Sequence, residues 1–259
     1  MQLSIISFFF AVSLYGYADT GVPIKVAVAG SSACESYYSG SPELIWGWGE
    51  VIGNYFKPGV AVLNHAKSGR STTSFVAEGL WKNLLADKPD YILMTLGAND
   101  TTNKPGYTDP KTTFRDNLRR YAADADAAGA RIIFVTLNTA MNFNAGKTGA
   151  VFHKSGKAIR RERIEHSLAI REVAAELNKP CLELWDNQVR EWEELGEERA
   201  AGLYRITSQG TIDPSHTNKE GAERIARIIM RELAASESPL AAYVDLNAVE
   251  ADAGKAAGR

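Results

Sequence analysis

Ile24-Lys25-Val26-Ala27-Val28-Ala29-Gly30-Ser31-Ser32 is the stretch that decides the fold. Its first six residues are short, apolar and partly β-branched, the composition of a strand covered on both faces. Gly30 ends that strand, and two hydroxyl residues follow in the turn toward the next segment. The same kind of run returns at Val60–Asn64, Tyr91–Leu96, Arg131–Leu137 and Leu182–Trp185. Between these runs the apolar residues take helical spacing. Leu44, Trp48, Val51, Ile52, Tyr55 and Phe56 make one such face; Phe114, Leu118, Tyr121, Ala122 and Ala125 make a second. Ile164, Leu168, Val173 and Leu177 outline a third. Thr217 with Glu220 has the form of a capping box opening a last helix, whose Ala222, Ile225, Ile229 and Leu233 face the core.

Strand and helix in alternation imply a parallel sheet with helices on both sides. Five strands predict an α/β fold, a single three-layer α/β/α domain with the flavodoxin-like order 2-1-3-4-5. The chain of 259 residues is long enough for one such domain with a sizeable core, assigned to residues 19–244. The small, charged stretch 245–259 reads as a disordered tail. A net charge of −2 argues against a general nucleic-acid binder, which would be strongly basic. The apolar run Leu3–Leu14 followed by Gly16-Tyr17-Ala18 reads as a signal peptide, 1–18, although the stretch before it carries no Lys or Arg. The expected location is therefore periplasmic or extracellular, with no membrane attachment after cleavage. A buried N-terminal strand or an anchor is the alternative. Cys34 leaves the first strand and Cys181 opens the last, at opposite ends of a parallel sheet, so two free buried thiols are expected rather than a bridge.

In such sheets ligands sit beyond the carboxyl ends of the strands, where the strand order reverses. Ser31 and Ser32 leave strand one, Gly69 follows strand two, and Asn99 follows strand three within Gly97-Ala98-Asn99-Asp100. An ester hydrolase needs a hydroxyl nucleophile, a base and donors for the developing oxyanion. The Ser32 N–H, the Gly69 N–H and the Asn99 side-chain amide supply three donors. Gly69 lets the backbone approach a substrate with no Cβ in the way. Asp213-Pro214-Ser215-His216 puts a carboxylate three residues from an imidazole, so that the acid can fix the tautomer while the other ring nitrogen faces the serine. The absence of an HExxH or paired-cysteine motif argues against a metal, and no cofactor is expected.

With these blocks in order, the sequence resembles the SGNH, or GDSL, hydrolases, and among them the rhamnogalacturonan acetylesterases. Gly47-Trp48-Gly49-Glu50, Asn64-His65-Ala66, Gly69-Arg70-Ser71 and Gly221-Ala222 extend the resemblance over most of the chain. It implies Ser32 as nucleophile, His216 as base, Asp213 as its partner, and Ser32, Gly69 and Asn99 as the oxyanion hole. It also implies an acetylated polysaccharide or oligosaccharide as substrate. Where the family has Gly-Asp-Ser, this chain has Gly30-Ser31-Ser32. Ser31 is thus a second hydroxyl, and alignment from Gly30 favours Ser32. The missing carboxylate keeps a carbohydrate-binding pseudoenzyme open, and a lipase or thioesterase for other acyl groups stands beside it. Arg70 and Trp46 are candidate substrate contacts. His65 reads as a packed, hydrogen-bonded histidine. The basic stretch Lys154, Lys157, Arg160, Arg161 and Arg163 reads as a solvated face, with attraction of a polyanionic polysaccharide as the sharper alternative. The oligomeric state is left open by the sequence.

Overall fold

The computed structural model describes residues 23–102, 104–139 and 161–251. The elements run β1 (Ile24–Ala29), α1 (Trp48–Val51), β2 (Val60–Asn64), α2 (Thr72–Ala77), α3 (Leu80–Ala86), β3 (Tyr91–Met94) and α4 (Thr113–Ala127). Then come β4 (Arg131–Val135), α5 (Arg161–Glu176), β5 (Cys181–Leu182), α6 (Leu184–Leu195) and α7 (Glu197–Ala201). β6 (Tyr204–Ile206), β7 (Ile212–Thr217), α8 (Lys219–Ala235) and α9 (Leu246–Ala251) close the described chain. Five parallel strands stand in the order β2-β1-β3-β4-β5, as the alternation predicted. β1 lies between β2 and β3, so the strand order reverses beside it and leaves the crevice at its carboxyl end.

The two-residue period of the strands divides the core. Val26 and Val28 of β1, with Leu93 and Val135, pack against Trp48, Ile52, Ile225 and Ile229. Ala27 and Ala29, with Ile92 and Phe134, pack against Phe75, Phe114, Leu118 and Tyr121 on the other face. Burial of each large side chain contributes roughly 1.5–3 kcal/mol, which is why the sheet is the rigid part of the molecule.

Several expectations need correction. The first helical face shrinks to α1 followed by a 3-10 turn, Ile52–Tyr55, and Leu44 lies outside it, 47% exposed. β5 ends at Leu182, and Leu184 and Trp185 start α6 instead of finishing a strand. Local hydrogen bonding explains this. The Glu183 side chain accepts from Asp186 N, and Thr136 Oγ1 accepts from Leu184 N and Trp185 N, which satisfies the first turn of the helix. On α5 the inner face includes His166 and Ser167, while Leu168 points outward. His166 Nε2 meets Thr108 O at 3.0 Å, and its ring stands edge-on to Phe114. Polar residues thus occupy positions that an apolar count assigned to solvent.

The capping box expected at Thr217 is absent as well. Asn218 caps α8 by accepting from Gly221 N at 3.1 Å, and Thr217 belongs to β7, where its hydroxyl donates to Trp46 O. The tail expected to be disordered from 245 starts as ordered chain. Asp245 N donates to Tyr55 O, α9 follows, and Val249 is fully buried against the core. An apolar residue with a pocket to fill outweighs the weak local signal there. The segments 1–18 and 252–259 lie outside the described residues. Cys34 and Cys181 are free thiols, Cys34 buried and Cys181 half-buried. Among the described residues no helix is long and apolar enough to cross a membrane.

Candidate active site

After β1 the chain makes one helical turn, with Cys34 N and Glu35 N both donating to Ser31 O at 3.1 Å. That turn leaves Ser32 at its start, half-buried. The Ser32 N–H donates to no described residue, which leaves it free for a ligand oxygen. Gly30 is required here because a Cβ on it would stand 2.1 Å from Cys34 Sγ. Tyr37 braces the turn from outside, its hydroxyl donating to Ser32 O at 2.9 Å. Burial pushes the Tyr37 hydroxyl up to about 12, so it remains a neutral donor.

Glu35 ties this turn to the loop after β2. Its carboxylate accepts from Lys67 Nζ and from Ser68 N, each at 2.7 Å. Gly69 follows in the left-handed region, φ +79°, with nothing within 4 Å of where a Cβ would stand. Backbone conformation makes the glycine necessary, and the space beside it is open. The Gly69 N–H, like that of Ser32, donates to no described acceptor.

The loop after β3 is anchored by Asp100, which is fully buried. It accepts from Thr72 N, the Thr72 hydroxyl and the Thr108 hydroxyl. Burial raises the Asp100 carboxyl above the ordinary range, against the pull of those donors. Anchored this way, the adjacent Asn99 sends its amide nitrogen to Arg70 O at 3.1 Å. A side-chain amide has two hydrogens, so one remains for a ligand. Asn99, from the loop after β3, therefore meets the loop after β2 at Arg70, the residue next to Gly69.

Asp213 and His216 come from β7. His216 Nδ1 stands 2.9 Å from Asp213 Oδ2. The other oxygen, Oδ1, accepts from Ser215 N at 2.9 Å and His216 N at 3.2 Å. Arg205 Nε of β6 donates to Oδ2 at 2.7 Å. Burial pushes the Asp213 carboxyl up, but the Ser215 N–H, His216 and Arg205 together hold it below its ordinary value. The carboxylate side chain is 10% exposed and the imidazole 25%.

One strap connects the two halves. Trp48 N donates to Ala33 O at 3.0 Å, one residue past Ser32. Trp46 N donates to Thr217 O at 2.9 Å, one residue past His216, and Thr217 Oγ1 returns a bond to Trp46 O. Gly47 lies between them, where a Cβ would approach Glu35 O to 2.3 Å. Gly49 is equally constrained by Cys34 O. The residues after Ser32 and His216 are thus linked through the Trp46–Trp48 segment. No hydrogen bond directly joins Ser32 Oγ to His216 Nε2.

The two candidate substrate contacts are otherwise engaged. Arg70 pairs with Glu78 at 2.7 Å and donates to Ser68 O. Trp46 donates its Nε1–H to Ser41 O and carries Lys219 Nζ 5.4 Å from its ring centre. His65 Nε2 bonds Asp87 Oδ2 at 2.9 Å, as a packed histidine should. Arg163 departs from the solvated reading of its stretch. It is 7% exposed and Nη1 donates to Asn138 O. Lys154, Lys157 and Arg160 lie outside the described residues. Sequence reasoning missed Glu35, Glu50, Tyr37 and Arg205. Glu50 appeared only as part of a motif, yet its carboxylate holds the Tyr37 and Tyr38 N–H groups.

The chain is a serine ester hydrolase by its family and its acetylesterase relatives. Residues 28–224 match the GDSL-like Lipase/Acylhydrolase family, and the chain belongs to that family. It is 31% identical over 217 residues to the rhamnogalacturonan acetylesterase RhgT of Bacillus subtilis (strain 168), across 80% of this chain and 88% of that protein. It is 28% identical over 219 residues to a probable rhamnogalacturonan acetylesterase, YesY, of the same organism, across 83% and 94%. An acetylxylan esterase from Geobacillus stearothermophilus shares the fold, with a TM-score of 0.59 at 19% identity over 82% of this chain and 94% of that one.

Proposed function

We propose that this enzyme removes acetyl groups from a plant cell-wall polysaccharide of the rhamnogalacturonan type through an acyl-serine intermediate. The observation that carries the reading is the 2.9 Å pairing of His216 Nδ1 with an Asp213 carboxylate held ionised by its neighbours. With Nδ1–H donated to Asp213, His216 Nε2 is the basic nitrogen, and it takes the proton of Ser32 Oγ as that oxygen attacks the acetyl carbonyl. The Ser32 N–H, the Gly69 N–H and the uncommitted Asn99 amide hydrogen receive the oxyanion. His216 then protonates the departing sugar oxygen. Water, activated by the same imidazole, releases acetate and restores Ser32. No cofactor enters the cycle.

Two relatives named as rhamnogalacturonan acetylesterases, aligned over most of their length, support this substrate class over a general lipase. Acetate release from acetylated rhamnogalacturonan, homogalacturonan and xylan, measured side by side, tests it. Highest turnover on rhamnogalacturonan is the expected result, and highest turnover on xylan would reassign the substrate. Across p-nitrophenyl esters the rate should fall beyond two or three carbons, whereas a rise with chain length would favour a lipase. Export rests on residues 3–18 alone. A secreted mature protein starting at Asp19 is the expected finding by N-terminal sequencing.

A further inference from the structure

β6 and β7 pair antiparallel at Tyr204↔Thr217 and Ile206↔Ile212, with the register broken between. Only Arg205 lies between those pairs on β6, whereas Asp213, Pro214, Ser215 and His216 lie between them on β7. The acid and the base therefore both occupy a bulge, facing one arginine. Bulged residues lose their ladder bonds, and a bulge re-aims side chains only if something else fixes it. The Asp213 carboxylate closes the bulge from within, through Ser215 N and His216 N. Arg205 closes it from across the ladder, with Nε on the same oxygen that holds His216 Nδ1.

We infer that Arg205 is a positioning residue of the hydrolase, acting through Asp213 to set both the aim and the basicity of His216. The inference rests on the catalytic roles proposed for Ser32, Asp213 and His216. Its physical content is twofold. A fixed guanidinium on Oδ2 leaves the carboxylate one orientation, and so gives the imidazole one direction. Its positive charge also opposes the imidazolium that forms when His216 takes the serine proton. The other groups facing the pair are Tyr204, whose buried hydroxyl lies within the fields of both Arg163 and Asp213, and Tyr37, which feels Arg205 from the nucleophile turn. Burial keeps both hydroxyls neutral, and Arg163 bonds Asn138 O and stays charged in the variant, so the change in field comes from Arg205, which bonds the carboxylate itself.

The test is steady-state kinetics of Arg205→Met and Arg205→Lys on p-nitrophenyl acetate from pH 4 to 9, with Ser32→Ala as control and thermal melts for folding. Arg205→Met should lose about ten- to hundredfold in kcat with little change in KM, the scale of loss on removing the outer partner of a metal-bound histidine. The acidic limb of its profile should move up by roughly half a pH unit, the effect of one unit charge several ångströms away in a wet site. Arg205→Lys should recover the limb and part of kcat. A methionine variant that melts like the parent with kcat and limb unchanged overturns the inference. So does a kcat loss with no limb shift and no rescue by lysine, which would mark a merely structural residue. The remaining guanidinium nitrogens of Arg205 bond no described residue. A raised KM seen only on a uronate-bearing substrate would therefore make it a carboxylate contact and also overturn the role. An active Ser32→Ala would bring down the catalytic assignment itself, whereas an inactive one beside a normal Arg205→Met would bring down the arginine alone.

Discussion

The proposed nucleophile side of the site and the proposed acid–base side are built in different ways. Ser32, Gly69 and Asn99 each stand just beyond one strand of the central sheet, so the registers of β1, β2 and β3 bring them together. Asp213 and His216 stand in the bulge of a two-stranded ribbon, β6–β7, outside that sheet. The first group is fixed by a core that excludes water on both faces. The second has one core anchor on the ribbon, Tyr204, and is otherwise fixed by polar bonds from Arg205, Ser215 N and the Trp46–Trp48 strap. The proposed oxyanion donors thus sit on the rigid half, and the proposed base sits on the ribbon half.

That contrast breaks most completely when the chemistry is removed from either side. Ser32→Ala and His216→Ala should each lower kcat on p-nitrophenyl acetate by about 10⁴-fold or more, whereas Ser31→Ala, one residue away, should change it little. Equal losses for the two serines would reopen the choice between them. The next largest effect belongs to the rigid half. Asn99→Ala should cost about 10²–10³ in kcat at nearly unchanged KM, because the donor serves the transition state. A loss confined to KM would make Asn99 a substrate contact instead.

Gly47→Ala attacks the connection between the halves. The added Cβ meets the backbone at Glu35 O and Cys34 C, with no side chain free to yield. Overpacking of this kind costs about 1–3 kcal/mol, readable in a denaturant melt, and kcat should fall with it as Ser32 and His216 move apart. Stability lost with kcat intact would show that the strap supports the fold and not the alignment.

The smallest effect sharpens the comparison through two aspartates held in opposite directions. Asp213 is held below 3.8, so its contribution to stability is full above that pH and fades as pH falls through its folded value. Asp100 is raised above 3.8 by burial, so the folded state gains stability on acidification through that raised value. Melts of Asp213→Asn and Asp100→Asn between pH 7 and 3 should therefore diverge. The gap to the parent should close for the first and widen for the second. Parallel curves would mean that the two carboxyls share one environment.

Much of the rigid half was legible in advance. Gly30-Ser31-Ser32, Gly69 and Gly97-Ala98-Asn99-Asp100 each follow an apolar strand, and strand ends are what periodicity marks best. The acid–base pair was legible as a spacing, but its setting was not. β6 and β7 carry Arg205, Asp213, Ser215 and His216 where apolar alternation would normally reveal a strand. Glu35 and Arg205 gave no sign at all, because a single charged residue looks the same whether it faces water or a carboxylate brought from elsewhere.

By itself the sequence determined the parallel sheet, its strand order, the family blocks and the residues able to do the chemistry, since these follow from composition and period along the chain. Tertiary structure alone decided that Asp213 shares one oxygen between His216 and Arg205, that a glycine strap links the Ser32 turn to the His216 strand, and that α9 docks where a loose tail was expected. Those features depend on which surfaces meet, and contacts between distant segments leave no local period to read.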